Sequence, residues 1–338
     1  MRLLKLSPFV ISIKILHLPS VKCTSRHQKI NFFTTPAFSR FYYLKEQKGI
    51  ALVVTLLALV LITAMVVEFS YGVYTGTNNL HNWRDSQRLS IMAKSGINVS
   101  AKFLTSLPRD RPYPGSIEFP LENPFEDFDG VITVRIEDEA SKLNLKSLVN
   151  GQRTKNEVTY KSFRRLLEVL SLDTKIADRV VEWIIKKRES GMSSSSESTK
   201  DLGLNSVDEL LLINGITRKD YDTLLPYITV YGSPDNLIVN VNGAGKQVLM
   251  SISDPRNGEF PIDEDRAERI IKRRELSLFL NYGEFNVFVG TDLSADRITT
   301  DIGPFFFVKG IASSGGIKRI IETVLNKDTG TIKYWKEY

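Results

Sequence analysis

Residues 46–68 read EQKGIALVVTLLALVLITAMVVE, and this stretch decides the architecture of the chain. The eighteen residues from Ile50 to Val67 carry no charge. As a helix they would measure about 27 Å, close to the roughly 30 Å hydrocarbon thickness of a bilayer. The sequence therefore predicts one membrane-spanning helix, and Gly49 stands immediately before it.

Positive charge precedes this helix. Arg40, Lys45 and Lys48 all lie on its N-terminal side, and positive residues are retained on the cytoplasmic side of a membrane. Everything after Glu68 is therefore predicted to lie across the membrane. The residues that follow Val67 show no small-residue cleavage site of the kind that ends a secretory signal, so we expect the helix to be retained.

Charge is divided unevenly at Gly49. Residues 1–49 hold nine Lys or Arg residues and a single acid, Glu46, which gives this leader a net charge of +8. The whole chain has 45 basic and 39 acidic residues, so 36 basic and 38 acidic residues remain behind the leader. A near-neutral body is not typical of nucleic-acid-binding proteins, which neutralise phosphates with a basic surface.

Few side chains behind the leader suit catalysis. The single cysteine, Cys23, and two of the three histidines lie in the leader, which leaves His81 alone in the body. Thiol or imidazole metal sites and histidine-assisted nucleophilic catalysis need such residues. No catalytic residue is assigned, and the sequence indicates a protein that is not an enzyme.

The helix is predicted to continue beyond the bilayer as far as Pro108. Apolar residues at three- and four-residue spacing form one stripe, which consists of Leu89, Met92, Ala93, Ile97 and Leu104. We expect this stripe to pack against a sheet of the same chain. Residues 108–130 contain five prolines and are predicted to form a connecting loop.

Strands are predicted on both sides of a long helical region. Residues 131–136, VITVRI, are rich in β-branched side chains and predict one strand. Three further strands are predicted within residues 305–335, separated by a Gly-Gly turn at 315–316 and a second turn at 328–330. Together they predict a small antiparallel sheet that packs against the long helix.

The helical region shows a degenerate internal repeat. Two asparagine-rich strand ends, at 143–145 and 240–242, each precede a pair of amphipathic helical patterns, at 163–184 and 248–271. Asparagine side chains at strand ends bond to the backbone and turn the chain into a helix. We therefore assign Asn144, Asn240 and Asn242 structural roles.

Residues 207–221, VDELLLINGITRKDY, are similar to a helix-hairpin-helix, whose glycine loop can donate backbone N–H groups to a DNA phosphate. That motif normally has a second glycine two residues after the first, but here Thr217 follows Gly215 at that spacing. Two acids in the second helix also offset its two basic residues. We favour a packing module and keep, as the alternative, a membrane-anchored envelope DNA-binding protein that uses Gly215.

The junction at Gly49 resembles the type IV prepilin class, whose members are cut after a glycine by a membrane-bound prepilin peptidase. The resemblance implies that Gly49 ends the leader and that Ile50 becomes a methylated N-terminus. Members of the class usually carry glutamate at the fifth mature position, which here is Val54. In the class that buried glutamate pairs with the N-terminal ammonium of the subunit ahead, so a subunit that lacks it needs none ahead.

The body resembles the general secretion pathway protein K family, the minor pseudopilin K of type II secretion. The segments that carry the resemblance are EDEASKLNL at 137–145, NLIVNVNGA at 236–244 and the three-strand ending, and it covers nearly all of residues 45–335. It implies an α+β pilin-like fold, in which a long N-terminal transmembrane helix packs on a small antiparallel sheet. A large all-helical domain, of helix-hairpin-helix or SAM-like type, is inserted in that sheet.

The same resemblance implies a function. It predicts a minor pseudopilin that caps the tip of the periplasmic pseudopilus and helps initiate its assembly for protein export across the outer membrane. The implied partners are the minor pseudopilins I and J, the prepilin peptidase and inner-membrane lipid, with no nucleic acid expected. The implied location is the cell inner membrane, in a single pass, with the main body in the periplasm.

Calcium is the one cofactor that the resemblance raises. Protein K relatives can bind it in the helical insertion, beside an acidic run that follows an Asp-Trp pair. Here Glu182 and Trp183 precede a basic run, and the acidic residues at 263–265 and at Asp254 lack EF-hand spacing. No cofactor is certain, calcium is left open, and no metal ligand is assigned.

These patterns divide the chain into five segments. They are a cleaved basic cytoplasmic leader (1–49), the transmembrane helix (50–67), the helix continuation with the loop and first strand (68–140), the helical insertion with two degenerate repeats (141–300) and the C-terminal strands (301–338).

Overall fold

The structure is a computed structural model that describes residues 48–108, 112–190, 203–254, 256 and 259–338. Residues 1–47, which make up almost all of the predicted leader, lie outside the described residues. The chain divides into two units, Met1–Phe69 and Ser70–Tyr338.

The first described element is helix α1, Lys48–Ser106, which is 59 residues long. The predicted span from Ile50 to Val67 lies inside α1, and every residue of that span is exposed. Its Thr55 and Thr63 hydroxyls donate to backbone carbonyls of the preceding turn. Among the described residues, α1 is the one helix long and apolar enough to cross a membrane.

The second unit contains the rest of the regular structure. Its strands and helices, in chain order after α1, are β1 (Ser116–Leu121), β2 (Val131–Asp138), β3 (Leu143–Asn144), α2 (Glu157–Val169), α3 (Lys175–Ser190), α4 (Arg218–Leu224), β4 (Ile228–Thr229), β5 (Val239–Asn240), α5 (Lys246–Ser251), α6 (Glu264–Leu276), α7 (Tyr282–Val289), β6 (Ile298–Thr299), β7 (Phe305–Ser314), β8 (Ile317–Asn326) and β9 (Ile332–Glu337).

A five-stranded sheet has the order β1-β2-β7-β8-β9, and every neighbouring pair is antiparallel. The predicted strand at 131–136 and the three predicted C-terminal strands are all present. Gly315 and Gly316 both have positive φ, +54° and +84°, as the tight turn between β7 and β8 requires. The insertion leaves the end of β2 and returns at the start of β7, so its two ends lie on adjacent strands.

The apolar stripe of α1 packs on this sheet, as predicted. Leu89, Met92, Ala93, Ile97 and Leu104 are each at most 2% exposed. Glycines allow the close approach: a Cβ on Gly96 would lie 2.9 Å from Val134 Cγ2, and one on Gly310 would lie 2.8 Å from the Ala93 carbonyl oxygen. The helix and the sheet therefore share one core.

The prediction of a loop over residues 108–130 was wrong in one part. Strand β1 lies inside that range and pairs with β2, so β2 is not the first strand of the sheet. Prolines favoured the loop prediction, but β1 is an edge strand, where Pro120 removes no hydrogen bond from a sheet interior. The alternation of Ile117, Phe119 and Leu121, which pack against the α1 core, is the signal that was missed.

The insertion is mainly helical and has a hydrophobic core of its own. It is not entirely helical, because two short parallel strand pairs lie within it: β3 with β4, and β5 with β6. Each pair joins the asparagine-rich start of one repeat to an Ile-Thr segment at its end. We call residues 143–229 repeat 1 and residues 239–299 repeat 2.

The two repeats are closely matched in their second helices. Residues 182–189 of α3 read EWIIKKRE and residues 268–275 of α6 read ERIIKRRE, with six of the eight positions identical. Arg188 Nη1 donates to the carbonyl oxygens of residues 149 and 150 at 3.1 and 2.7 Å. Arg274 Nη1 donates to those of residues 241 and 244 at 2.9 and 2.7 Å. An arginine at the matching position of each repeat thus hydrogen-bonds the second helix to the start of that repeat.

A glutamate in each repeat holds the segment after this helix. Glu209 Oε1 accepts the backbone N–H of Asn205 at 3.1 Å, and Glu284 Oε2 accepts that of Leu280 at 2.9 Å. Lys187 and Arg273, at matching positions, form ion pairs with these glutamates. Six residues after each glutamate comes a positive-φ glycine, at 215 and 290.

Candidate functional site

The predicted processing junction lies at the start of α1. Gly49 is exposed, and a Cβ built on it meets nothing within 4 Å. Glycine inside a helix costs up to about 1 kcal/mol relative to alanine. Since neither packing nor backbone conformation requires glycine at position 49, the fold offers no reason for it. The prediction is that glycine at position 49 is required by a partner of the chain, namely the peptidase that recognises it.

Val54 lies one turn beyond Ile50 on the exposed apolar helix. The two side chains are 59% and 60% exposed, so both face the surroundings of the helix. A carboxylate at position 54 would therefore have to find its counter-charge outside this helix. The three predicted site residues, Gly49, Ile50 and Val54, lie together near the start of α1.

The hairpin at Gly215 is folded as a packing element. Ile213, Ile216, Tyr221 and Leu224 are at most 8% exposed and belong to the insertion core. Gly215 has φ of +86°, and its carbonyl oxygen accepts Arg179 Nη1 at 2.9 Å.

The turn before α4 is poorly suited to a phosphate. Asp220 Oδ2 accepts the backbone N–H of Thr217 at 2.9 Å and its hydroxyl at 2.8 Å, completing a capping box. A backbone donor at the place where DNA would bind is thus already bound to a carboxylate, and that charge repels phosphate. Arg218 pairs with Asp222 at 2.9 Å. This geometry argues against the DNA-binding alternative.

The acidic residues considered for calcium have other partners. Asp263 caps α6 by accepting the N–H of Arg266 at 2.8 Å, and Glu264 bonds Lys246 at 2.6 Å. Asp254 bonds Arg256 at 2.8 Å. Within the described ranges, no group of three His, Cys, Asp or Glu side chains could hold a metal ion. These acidic residues are already paired or serve as helix caps, and calcium in the insertion stays a prediction of the resemblance.

Two consecutive acids at the root of the insertion each hold one repeat. Asp138 Oδ2 accepts Asn240 Nδ2 of repeat 2 at 2.8 Å. Glu139 Oε2 accepts the Thr229 hydroxyl of repeat 1, and its Oε1 accepts Lys142 Nζ at 2.6 Å. We call Asp138 and Glu139 the root pair. Both residues lie within the EDEASKLNL segment at 137–145, and the sequence alone predicts no role for them.

Asp138 also fixes the return of the chain. It accepts the backbone N–H groups of Ala140 at 2.9 Å and Gly303 at 3.2 Å, so three segments meet at one carboxyl group. Burial raises the pKa of Asp138 to about 6, and the hydrogen bonds from Asn240 and the two backbone groups oppose that rise. The Tyr113 hydroxyl is buried beside it without a hydrogen-bond partner.

This burial predicts a pH dependence of stability. The folded-state pKa of about 6 lies above the ordinary 3.8, so the folded chain favours the protonated form of Asp138. That contribution is complete below pH 3.8 and is lost as the pH rises through 6; over this window it amounts to about 3 kcal/mol. Urea unfolding of the full chain in detergent at pH 4 to 7 should show the decline, and Asp138→Asn should flatten it.

The wild-type chain, measured over the same range of pH 4 to 7, provides the reference for that measurement. An equal slope in the wild-type chain and in Asp138→Asn would contradict the assignment of the pH dependence to Asp138.

A cleft of about 570 Å³ lies between the insertion and the sheet face opposite α1. Its charged lining is largely paired: Arg135 bonds Glu137 at 2.7 Å, and Lys309 bonds Glu322 at 2.8 Å. The Ser141 hydroxyl is buried in its wall without a hydrogen-bond partner, so no neighbouring base activates it. The cleft offers a binding surface, and no nucleophile paired with a base is found among its described lining residues.

Comparisons with known proteins bear on this fold and these sites. Residues 141–234 match the family model described as type II secretion system (T2SS), protein K. The chain is 26% identical over 267 residues to type II secretion system protein K of Pseudomonas aeruginosa, which covers 71% of this chain and 76% of that protein.

A solved structure is also similar to this chain. It is described as the GspK-GspI-GspJ complex from the type 2 secretion system of enterotoxigenic Escherichia coli. The match has a TM-score of 0.48 and 12% sequence identity, and it covers 78% of this chain and 99% of that one. The family model and the P. aeruginosa relative confirm the resemblance to protein K that the sequence predicted.

Proposed function

We propose that this chain, which carries the protein K domain of type II secretion over residues 141–234, is a minor pseudopilin that caps the tip of the pseudopilus and helps initiate its assembly. The pseudopilus then serves protein export across the outer membrane. The chain is anchored in the inner membrane by α1, with the body in the periplasm.

The observation that carries this proposal is the uncharged apolar helix with Val54 five positions after the Gly49 junction. The eighteen-residue apolar window of α1 has a mean hydropathy of 3.0 and lies wholly exposed. A subunit inside the filament would need a carboxylate to pair with the N-terminal ammonium group of the subunit ahead of it. A subunit at the tip does not depend on a subunit ahead, and Val54 suits that place.

The insertion supports the same position. It adds a second hydrophobic core to the sheet domain between two adjacent strands. A domain of this bulk is difficult to repeat at every subunit along a tightly wound filament. At a tip it occurs once, where no subunit packs ahead of it.

Processing and partners follow from the protein K resemblance. We propose that the prepilin peptidase cuts after Gly49 and that Ile50 becomes the methylated N-terminus. The minor pseudopilins I and J are the proposed protein partners, and inner-membrane lipid surrounds α1. The proposed role is assembly and involves no catalysis by this chain; no observation favours the DNA-binding alternative.

Val54→Glu tests the tip position. A carboxylate in the apolar segment is costly without a cation beside it, and a tip subunit has no subunit ahead to supply one. In cells that lack the wild-type chain, Val54→Glu should restore export roughly tenfold less well than the wild-type chain does. Secreted protein in the medium, normalised to the amount of each variant in the membrane, is the measurement.

Val54→Leu is the matched control, because it keeps the site apolar. It should restore export fully. If Val54→Glu restores export as well as Val54→Leu does, the apolar residue at position 54 is not evidence that this subunit lies at the tip. If removal of the whole chain leaves export unchanged, the proposed function itself is wrong.

A further inference from the structure

The insertion is joined to the sheet at one place, the root. The insertion and the sheet domain have separate hydrophobic cores that share no residue. The insertion leaves the sheet after Asp138 and returns at Gly303, whose backbone N–H donates to the Asp138 carboxylate at 3.2 Å. Gly243 packs there against Gly115, whose carbonyl oxygen accepts the Asp138 N–H at 2.7 Å. A domain attached through two adjacent chain crossings can turn about them while both cores stay folded.

Most other contacts between the insertion and the sheet lie beside the root. Lys142 Nζ pairs with Glu137 at 3.4 Å and lies 5.2 Å from the centroid of the Phe307 ring. The Tyr231 and Phe305 rings lie 5.9 Å apart. Both phenylalanines belong to the start of β7, where the chain returns from the insertion, and the charged pair flanks the root pair in sequence. These contacts therefore surround the point about which the insertion would turn.

One polar contact joins the insertion to the sheet far from the root. Asp208 Oδ2, in the short turn Val207–Leu212 of repeat 1, accepts the hydroxyl of Tyr334 on β9 at 3.4 Å. In the sheet β9 lies three strands from β2, which is about 14 Å at roughly 4.8 Å per strand. Between described residues, no other hydrogen bond or ion pair joins the two parts away from the root. We call the contact between Asp208 and Tyr334 the latch.

The acceptor of the latch is held in position by the insertion itself. Tyr221 of α4, which is 4% exposed, donates its hydroxyl to Asp208 Oδ1. The Ser206 hydroxyl accepts the backbone N–H of Asp208 at 3.1 Å. The Asp208 carboxylate therefore keeps its place when Tyr334 moves away. Because Tyr334 is only partly buried, water can accept its hydroxyl, and opening the latch leaves no buried polar group unpaired.

The ion pairs that line the cleft on the sheet side do not cross it. Arg135 pairs with Glu137, and Lys309 pairs with Glu322, so both partners of each pair belong to the sheet. Opening the cleft breaks neither pair. The cost of opening is therefore concentrated in the latch and in the contacts at its rim.

From the single root and the single distant polar contact, we propose that the insertion swings about the root pair and that the latch holds the cleft closed. The motion is a hinge opening between two folded cores, which needs much less free energy than unfolding either core. It is a property of the chain itself, so it stands or falls independently of the proposed function.

Distances between two spin labels, measured by pulsed EPR on the full chain in detergent, test the proposal. The single cysteine is first removed by Cys23→Ser. Labels are then attached through Lys219→Cys on α4 and Lys333→Cys on β9, because both positions are exposed and lie on opposite sides of the latch. With the latch intact, one closed distance should dominate the distribution.

Two substitutions at Tyr334 open the latch to different extents. Tyr334→Phe removes only the hydroxyl and should raise the ratio of open to closed molecules about fivefold, the effect of losing one hydrogen bond. Tyr334→Glu places a second carboxylate against Asp208, and like charges in contact repel, so a longer distance should become the major one.

Two controls separate opening of the latch from general loosening of the fold. Tyr338→Phe removes a hydroxyl that bonds Glu322 at 3.3 Å within the sheet, so it should leave the distance across the cleft unchanged. A second label pair, Lys219→Cys with Lys272→Cys, lies wholly within the insertion, whose two repeats share one core. That distance should stay the same in every variant.

Three results would overturn the proposal. The first is a wild-type distance distribution in Tyr334→Glu, which would mean that the insertion does not swing. The second is an equal shift in Tyr338→Phe and Tyr334→Phe, which would mean that the latch is not what holds the cleft closed. The third is a longer distance within the insertion in Tyr334→Glu, which would mean that the insertion loosens instead of turning as one body.

Discussion

Gly49→Val should leave the full-length chain uncleaved in the membrane, whereas the wild-type chain should begin at Ile50. The substitution leaves the helix itself intact, because the Cβ position of residue 49 is open and valine is a slightly better helix former than glycine. Any failure of maturation must then arise at the peptidase. The measurement is the N-terminal residue and mass of the chain extracted from cells with and without the prepilin peptidase.

Gly72 supplies a matched control within the same helix. A Cβ on Gly72 also meets nothing within 4 Å, so Gly72→Val makes the same chemical change with the same freedom from clashes. It should leave maturation unaffected. A wild-type chain that remains intact, or that is cut after residue 68 or later, would reject the processing site. Normal cleavage of Gly49→Val would reject the role of the glycine.

The long helix and most strands of the sheet domain could be predicted because their sequence signals are local and repeated. The α1 stripe at 89–104 has helical spacing, and the Gly315-Gly316 turn has a chemistry that few other structures need. Strand β1 was not predicted because its alternation of apolar and polar residues is short and contains Pro120. An edge strand tolerates that proline, but edge position is a property of the whole sheet and cannot be read from six residues.

Within the insertion, the sequence showed repetition but not how each repeat closes. The asparagine at each strand end was predicted to turn the chain, and Asn144 and Asn240 do accept backbone N–H groups two residues ahead. The parallel partners of those strands lie 85 and 59 residues away along the chain, at 228–229 and 298–299. Two-residue strands carry no period of their own, so their pairing follows only from the folded core.

The root pair was missed for a related reason. A sequence that reads Glu-Asp-Glu looks like a solvated surface, yet Asp138 and Glu139 are 1% and 3% exposed. They are buried because both repeats and the returning strand converge on the end of β2, and each carboxylate has a hydrogen-bonded partner from a different repeat. Only the topology places those partners there.

The same convergence makes Gly243 sensitive to a single added methyl group. Repeat 2 approaches the root of the insertion so closely that a Cβ on Gly243 would lie 2.0 Å from Ser141 Oγ and 2.5 Å from the Gly115 Cα. The serine hydroxyl can rotate away, but the Gly115 contact is backbone. We expect Gly243→Ala to lower the free energy of unfolding by about 3 kcal/mol or more.

Gly245 tests whether this sensitivity belongs to the contact or to the loop. It lies two residues further on, its φ is −66°, and the nearest atom to its Cβ position is 3.9 Å away. Gly245 is the N-cap of α5, where alanine is less favourable than glycine, so Gly245→Ala should lower the free energy of unfolding by no more than about 1 kcal/mol. Urea unfolding of the full chain in detergent compares the two variants, and equal losses would show that the close approach at Gly243 is not the cause.

Ser141→Ala separates the two clashes. Combined with Gly243→Ala it removes the hydroxyl and should recover only part of the lost stability, because the Gly115 backbone stays in place. Gly115 has φ of +78°, and its own Cβ position lies 2.1 Å from the Gly243 Cα, so neither backbone can move aside without strain. Full recovery in the double variant would mean that the clash with the Ser141 hydroxyl causes the whole loss of stability. The Gly115 backbone would then move away from the added methyl group at little cost in free energy.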